Sequence, residues 1–332
     1  MAVYTEVSDQ NLNDFAEQYD LGEVLSCKGI AEGIENTNYL VSTTRGAYIL
    51  TLYEKRVKLE DLPFFLGLME HLAAKGVLAP TPLKGRDGAA LRSLCGRPAA
   101  IVTFLDGMWP RRVTAGHCAL LGEAIAGLHL AGSDFQLSRD NDLSVDSWRR
   151  LLEACAGRAD EVKPGLARLL EKEMEALEAA WPDGLAAGVI HGDLFPDNVF
   201  FRSLGSPGPA PLDGGIYLSG IIDFYFACAD FFAYDLAICL NAWCFEDDRS
   251  FNITKARRLL GAYRQVRDFS RQELEALPLL ARGSALRFLL TRLYDWLNRP
   301  QGALVTAKDP LEYLEKLRFH QGVRGPGAYG LE

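Results

Sequence analysis

The chain lacks most of the signatures that would assign a nucleotide-binding or secreted protein at sight. There is no G-x-x-x-x-G-K-[ST] and no G-x-G-x-x-G, which removes the P-loop and dinucleotide-binding readings. No apolar run approaches the ~20 residues of a membrane span. The amino terminus, Met1 to Glu6, carries no basic segment followed by an apolar one, so no signal peptide is expected. Cysteine is scarce and uneven. Seven residues with no C-x-x-C pair suit small buried apolar groups in a reducing compartment, not a disulfide framework or a zinc site. Only five histidines are present, and no pair has zinc-ligand spacing. Positive charge is the minority: 35 Lys and Arg against 44 Asp and Glu leave a net charge of −9. That balance argues against a general binder of nucleic acid or anionic membrane. A cytoplasmic protein with a small-molecule partner is the expectation, as monomer or homodimer.

What is present is size and pattern. A chain of 332 residues, 48% hydrophobic, can bury an ample core and is long enough for two lobes. A helix is predicted over Ser8–Tyr19, followed by strands at Gly22–Ile30, Thr37–Thr43 and Ala47–Tyr53. The Gly-containing turn from Gly29 to Asn36 joins the first two strands; it can lay backbone N–H groups over phosphates or serve as an ordinary hairpin turn. A helix over Glu60–Lys75 stops at Gly76, and a strand from Arg97 to Leu105 ends at Asp106-Gly107, a candidate hinge. Helical spacing then dominates: 114–130, 146–156, 165–181, 233–244, 253–266, 271–277, 279–298 and 310–319. The stretch 203–211 reads as a long, mobile hairpin loop, and 324–330 as a disordered or loosely docked tail.

The chemistry concentrates in Val189-Ile190-His191-Gly192-Asp193-Leu194-Phe195-Pro196-Asp197-Asn198-Val199-Phe200-Phe201, which reads as strand, tight polar loop, strand. A further acid, Asp223, follows on the apolar stretch Leu218–Phe224. Kinase-type phosphoryl transfer needs a carboxylate to accept the substrate hydroxyl proton, with an amide oxygen and a second carboxylate to hold Mg²⁺ on the phosphates. Asp193, Asn198 and Asp223 are the right types in the right order, and Asn198 lies five residues past Asp193, the protein-kinase spacing. Pairing of the two strands as a hairpin would bring Asn198 and Asp223 together, where a divalent cation relieves the repulsion between crowded carboxylates. His191 is expected to orient the loop by hydrogen bonds. Asp197 is expected to brace it or to face solvent.

His191-Gly192-Asp193-Leu194-Phe195-Pro196-Asp197-Asn198, with Ile221-Ile222-Asp223-Phe224, resembles the aminoglycoside phosphotransferase and choline kinase superfamily. Asp193–Asn198 together with Tyr48-Ile49-Leu50-Thr51-Leu52-Tyr53-Glu54-Lys55-Arg56 resembles more narrowly its bacterial homoserine kinase branch. The resemblance covers roughly residues 1–322. It implies an α+β, two-lobed, protein-kinase-like fold: a small antiparallel-sheet N-lobe over residues 1–105, a mostly helical C-lobe over 106–322, and a flexible tail over 323–332. It implies ATP and Mg²⁺ as cofactors, with Asp193 as catalytic base, Asn198 and Asp223 as metal ligands, and Asp235 as a brace for the catalytic loop. By the same resemblance Gly29, Gly33 and Asn36 belong to the nucleotide loop, and Thr103 and Leu105 to the hinge that meets adenine. The implied activity is phosphorylation of the homoserine side-chain hydroxyl. Its rivals are a kinase for another amino alcohol (choline, an aminoglycoside or hydroxylysine) and a nucleotide-binding module without turnover. A zwitterionic acceptor calls for an acid and a base: Asp230 is the candidate acid, Arg139 or Arg287 the base. Tyr234 and Trp243 are the aromatic candidates for the substrate site. One departure stands out. The third-strand position that carries a Lys or Arg in the superfamily is Thr51, and the helix region Leu66–Met69 has no Glu to pair with such a base. Lys55, Arg56 and Lys28 are the candidates to supply the charge.

Overall fold

The computed structural model describes residues 5–30, 36–54, 57–203, 215–299 and 308–331. Gly33, Lys55, Arg56 and the loop around residues 204–214 lie outside the described residues.

The N-terminal part is a five-stranded antiparallel sheet. Its strands are β1 (Val24–Gly29), β2 (Thr37–Thr43), β3 (Gly46–Leu52), β4 (Arg92–Leu94) and β5 (Arg97–Thr103), in the order β1-β2-β3-β5-β4. Strict alternation of burial along β2 follows from the two-residue period of strand side chains. One face is covered by α1 (Asp9–Ala16), whose N-cap Ser8 accepts from the Asn11 N–H. Leu12, Phe15, Tyr19 and Leu21 pack there on Tyr39, Val41, Leu50, Leu52 and Ile101 as a small separate core. The opposite face, with Ala100 and Val102, meets α2 (Leu62–Ala74) and belongs to the main core. Burial of Phe65, Leu68 and Leu72 from α2 contributes roughly 1.5–3 kcal/mol each.

The remainder is mostly helical: α3 (Ala115–Ala131), α4 (Val145–Ala156), α5 (Ala159–Val162), α6 (Leu166–Ala180), then α7 (Phe232–Trp243), α8 (Ile253–Val266), α9 (Arg271–Leu297) and α10 (Pro310–Gln321). Two strand pairs lie between α6 and α7 in the chain. The strand β6 (Ala187–Ile190) pairs with β9 (Cys228–Phe231), and β7 (Val199–Ser203) pairs with β8 (Ile216–Ile221). Helix α3 lies so close on α8 that a side chain at Gly122 would collide with the Leu259 carbonyl.

Several elements differ from expectation, among them the short β4 and α5, which the sequence reading lacks. The segments 271–277 and 279–298 form one helix with Pro278 inside it. An interior proline costs about 3 kcal/mol; buried Leu277, Leu280, Ala281, Leu286 and Leu289 on both sides of it hold the two halves to one core. Strand β9 is absent from the sequence reading, because four residues between a turn and a helix carry no period of their own. The tail is docked: Pro326–Tyr329 forms a 3₁₀ turn, Tyr329 is fully buried, and its hydroxyl lies 2.8 Å from His320 Nδ1.

Candidate active site

Strand β6 delivers the chain into the loop at His191. Both His191 and Gly192 donate their backbone N–H groups, at 3.0 Å each, to the two carboxylate oxygens of Asp235 in the first turn of α7. His129 of α3 approaches the same carboxylate, with Nε2 3.2 Å from Oδ2. Burial raises the Asp235 carboxyl, but the His129 hydrogen bond, the nearby imidazoles and the His191 N–H pull it below the ordinary aspartate value. Burial holds His129 and His191 below the usual histidine range. Neutral His191 then donates Nε2–H to the Ile222 carbonyl at 3.0 Å and accepts the Asp193 N–H at Nδ1, 3.3 Å. Gly192 takes a left-handed φ of 75°, and a Cβ there would stand 2.7 Å from the Phe226 carbonyl oxygen. Only glycine meets both demands.

The loop closes on itself beyond this point. Asn198 Nδ2 donates to the Asp193 carbonyl at 2.8 Å and to its Oδ2 at 3.3 Å. The Ile222 N–H donates to the Asn198 carbonyl at 3.0 Å, and Val199 pairs with Ile221. The expected hairpin therefore forms, and it places Asn198 beside the turn that carries Asp223. Asp223 itself adopts a left-handed conformation, φ 66° and ψ 61°, which directs the chain into the 3₁₀ turn Phe224–Phe226. Asp193 and Asp223 are half-buried, whereas Asp197 is exposed. With its amide nitrogen engaged, Asn198 keeps its oxygen for another partner. Among the described residues no group of three His, Cys, Asp or Glu is placed to hold a metal ion. The donor set is one amide and one carboxylate oxygen, which suits a hard cation that takes its other ligands from phosphate and water.

Above the loop, the sheet presents different chemistry. Thr51 is buried and donates from its hydroxyl to Asn38 Oδ1 at 2.8 Å. Glu70, the carboxylate next along α2, pairs with Lys84. Lys28 stands in a cross-strand row with Leu40, Ile49 and Val102, on the sheet face turned away from α1, and is exposed. Gly29 ends β1 opposite Tyr39. Asn36 is buried and accepts the Glu54 N–H at 3.3 Å. Thr103 closes β5, its hydroxyl accepting from the Thr81 N–H at 2.9 Å. Leu105 covers Gly220 of β8, where a Cβ would stand 2.9 Å away.

The substrate-site candidates are distributed otherwise than expected. Trp243 is fully buried and donates to the Leu194 carbonyl at 2.7 Å, so it supports the loop from below. Tyr234 is buried between Trp148 and Trp181. Asp230 accepts from Asn141 at 2.6 Å and from the Phe231 N–H at 2.7 Å, and burial raises its carboxyl. Arg139 pairs with Asp61 at 2.8 Å and donates to the Ala227 carbonyl at 3.3 Å, spanning the two lobes. Arg287, from α9, donates to the Gly192 carbonyl at 2.7 Å and is buried. Sequence reading missed Tyr225, which points from the Asp223 turn to the sheet. The only signal was its place two residues after the acid.

A family model described as the phosphotransferase enzyme family matches residues 26–269. A homoserine kinase of Paramagnetospirillum magneticum is 65% identical over 332 residues, the whole of both chains. One of Rhodospirillum rubrum is 63% identical over 331 residues, 100% of this chain and 99% of that one. Two solved structures share the fold at 14% identity and a TM-score of 0.65. They are a spectinomycin phosphotransferase, covered over 95% of both chains, and a choline kinase from Cryptosporidium parvum, covered over 95% of this chain and 94% of that one. The two-lobed arrangement is thus protein-kinase-like, and the chain belongs to the phosphotransferase enzyme family.

Proposed function

We propose that this chain is an ATP-dependent kinase of L-homoserine, producing O-phosphohomoserine for threonine biosynthesis in the cytoplasm. The observation that carries the reading is the single constellation of Asp193, Asn198 and Asp223, set by the Asp235 brace on one side and the β7–β8 hairpin on the other. Full-length identity to homoserine kinases supports the choice of acceptor. In this reading Asp193 is assigned to the acceptor hydroxyl: its carboxylate orients that hydroxyl and accepts its proton while the oxygen bonds the γ-phosphorus, the bond to the β–γ bridging oxygen breaks and ADP leaves. Asn198 Oδ1 and the Asp223 carboxylate would hold Mg²⁺. Bound there, the cation supplies neutralisation of the phosphate charge. His191 and Asp235 orient the loop without touching substrate. Gly29, Gly33 and Asn36 are assigned to the phosphate side of the nucleotide and Thr103 and Leu105 to the adenine side; Asp230 and Tyr234 stay the candidates for the acceptor side.

The test is a coupled assay of Mg²⁺-dependent ADP release over homoserine, choline, an aminoglycoside and hydroxylysine. Homoserine is expected to give the highest kcat/KM. A higher value with choline would overturn the acceptor, and no ADP release with any alcohol would leave a nucleotide-binding module in place of an enzyme.

A further inference from the structure

The slot on β3 where a strand cation would stand is filled by neutral groups, and one residue ties them to the metal-side turn. Tyr225 Oη lies 3.3 Å from Tyr53 Oη at the end of β3. Its ring meets Tyr53 edge-on, with centroids 5.6 Å apart at 82°, and meets Phe65 of α2 at 5.6 Å and 88°. Tyr225 therefore touches both β3 and α2, the two elements that a strand base and a helix acid would join. Its neighbours face the other way: the Phe224 ring packs 4.8 Å from His191, and the Phe226 carbonyl abuts Gly192. Three consecutive aromatic residues thus clamp the turn begun by Asp223 between the sheet and the catalytic loop.

We propose that Tyr225, through Tyr53, is the positioning residue that holds Asp223 in register with the nucleotide-binding sheet. It does so by a neutral hydrogen bond and edge-on ring packing in place of an ion pair. The link is a single 3.3 Å contact between the two hydroxyls, with the rings packed edge-on. Freed from it, the turn carrying Asp223 would sample more positions, and metal affinity would fall before acceptor binding did. The inference rests on the assignment of Asp223 as a metal ligand.

The experiment measures initial rates against Mg²⁺ and, separately, against homoserine for wild type, Tyr225→Phe, Tyr53→Phe and the double variant. Phenylalanine keeps the rings and the packing; thermal melts establish that each variant is folded. For Tyr225→Phe the Mg²⁺ concentration at half-maximal rate is expected to rise about 10-fold, with the homoserine KM within about twofold. The double variant is expected to be no worse than the worse single one, because both remove one shared bond. An unchanged Mg²⁺ requirement in folded Tyr225→Phe, or strictly additive effects, would overturn the proposal. Asp223→Asn separates the two levels. If it keeps the wild-type Mg²⁺ response, the metal assignment and the proposal fall together. If it loses that response while Tyr225→Phe does not, the proposal alone falls.

Discussion

The two sides of the site are built on different principles. Below, the catalytic loop is held by a buried carboxylate that takes two backbone N–H groups and faces an imidazole, with Trp243 and Arg287 gripping the Leu194 and Gly192 carbonyls. Above, a threonine–asparagine bond joins β2 to β3 within the sheet, and a pair of phenols links the sheet to the turn that carries Asp223. Groups that must aim a carboxylate at a reacting atom need to be over-determined, since about 1 Å of misplacement can cost 10²-fold in rate. Groups that only keep two lobes in register can rely on packing and neutral hydrogen bonds, which add little desolvation cost.

The sharpest way to break that contrast is at Asp193, the carboxylate assigned above as the base. Asp193→Asn is expected to lower kcat by about 10²-fold or more with the KM for ATP nearly unchanged, read in steady-state kinetics. Next is the brace. Asp235→Ala strands two buried N–H groups and His129, and is expected to cost about 3–5 kcal/mol in urea unfolding, together with activity.

Acid should also separate the two sides. His129, His191 and His320 are buried and held below the usual histidine range, His320 at about 3. Below about pH 6.5 the unfolded chain binds protons that the folded one refuses. Their contribution is therefore complete above that pH and is lost as pH falls toward about 3. Each histidine accounts for at most about 1.4 kcal/mol per pH unit. Urea midpoints between pH 7.5 and 5 should show the slope, and His320→Gln should flatten it. The sheet carries no histidine, so hydrogen exchange at pH 5 should rise in the C-lobe first.

The smallest effect belongs to the upper side. Thr51→Val removes one hydrogen bond and is expected to cost about 1 kcal/mol by thermal melt with little change in kcat. A large loss of activity would mean that the sheet side is as strictly aimed as the loop.

Legibility followed the same division. The strands at 37–43 and 97–103 and most helices were readable because alternation and 3.6-residue periods survive in side chains that face one core. The loop around Asp193 was readable because its chemistry demands particular residue types at short range. Pro278 misled, because local propensity cannot register the core on both sides of it. The tail misled for the same reason. Glycine and proline dominate its composition, yet Tyr329 finds His320 and Phe251. Trp243 suggested a substrate contact by residue type, and its burial beneath Leu194 is a matter of where α7 lies.

Taken alone, then, the sequence determined the reaction class and singled out candidate residues for it, since hard-cation ligation and proton acceptance call for Asp and Asn at short spacings. Tertiary structure decided how those residues are held: that Asp235 takes the His191 and Gly192 N–H groups, that Tyr225 reaches Tyr53 at the end of β3, that Arg139 bonds Asp61. These pairs lie 43 to 172 residues apart. No local period encodes such a pairing; only the close packing of segments far apart in the chain does.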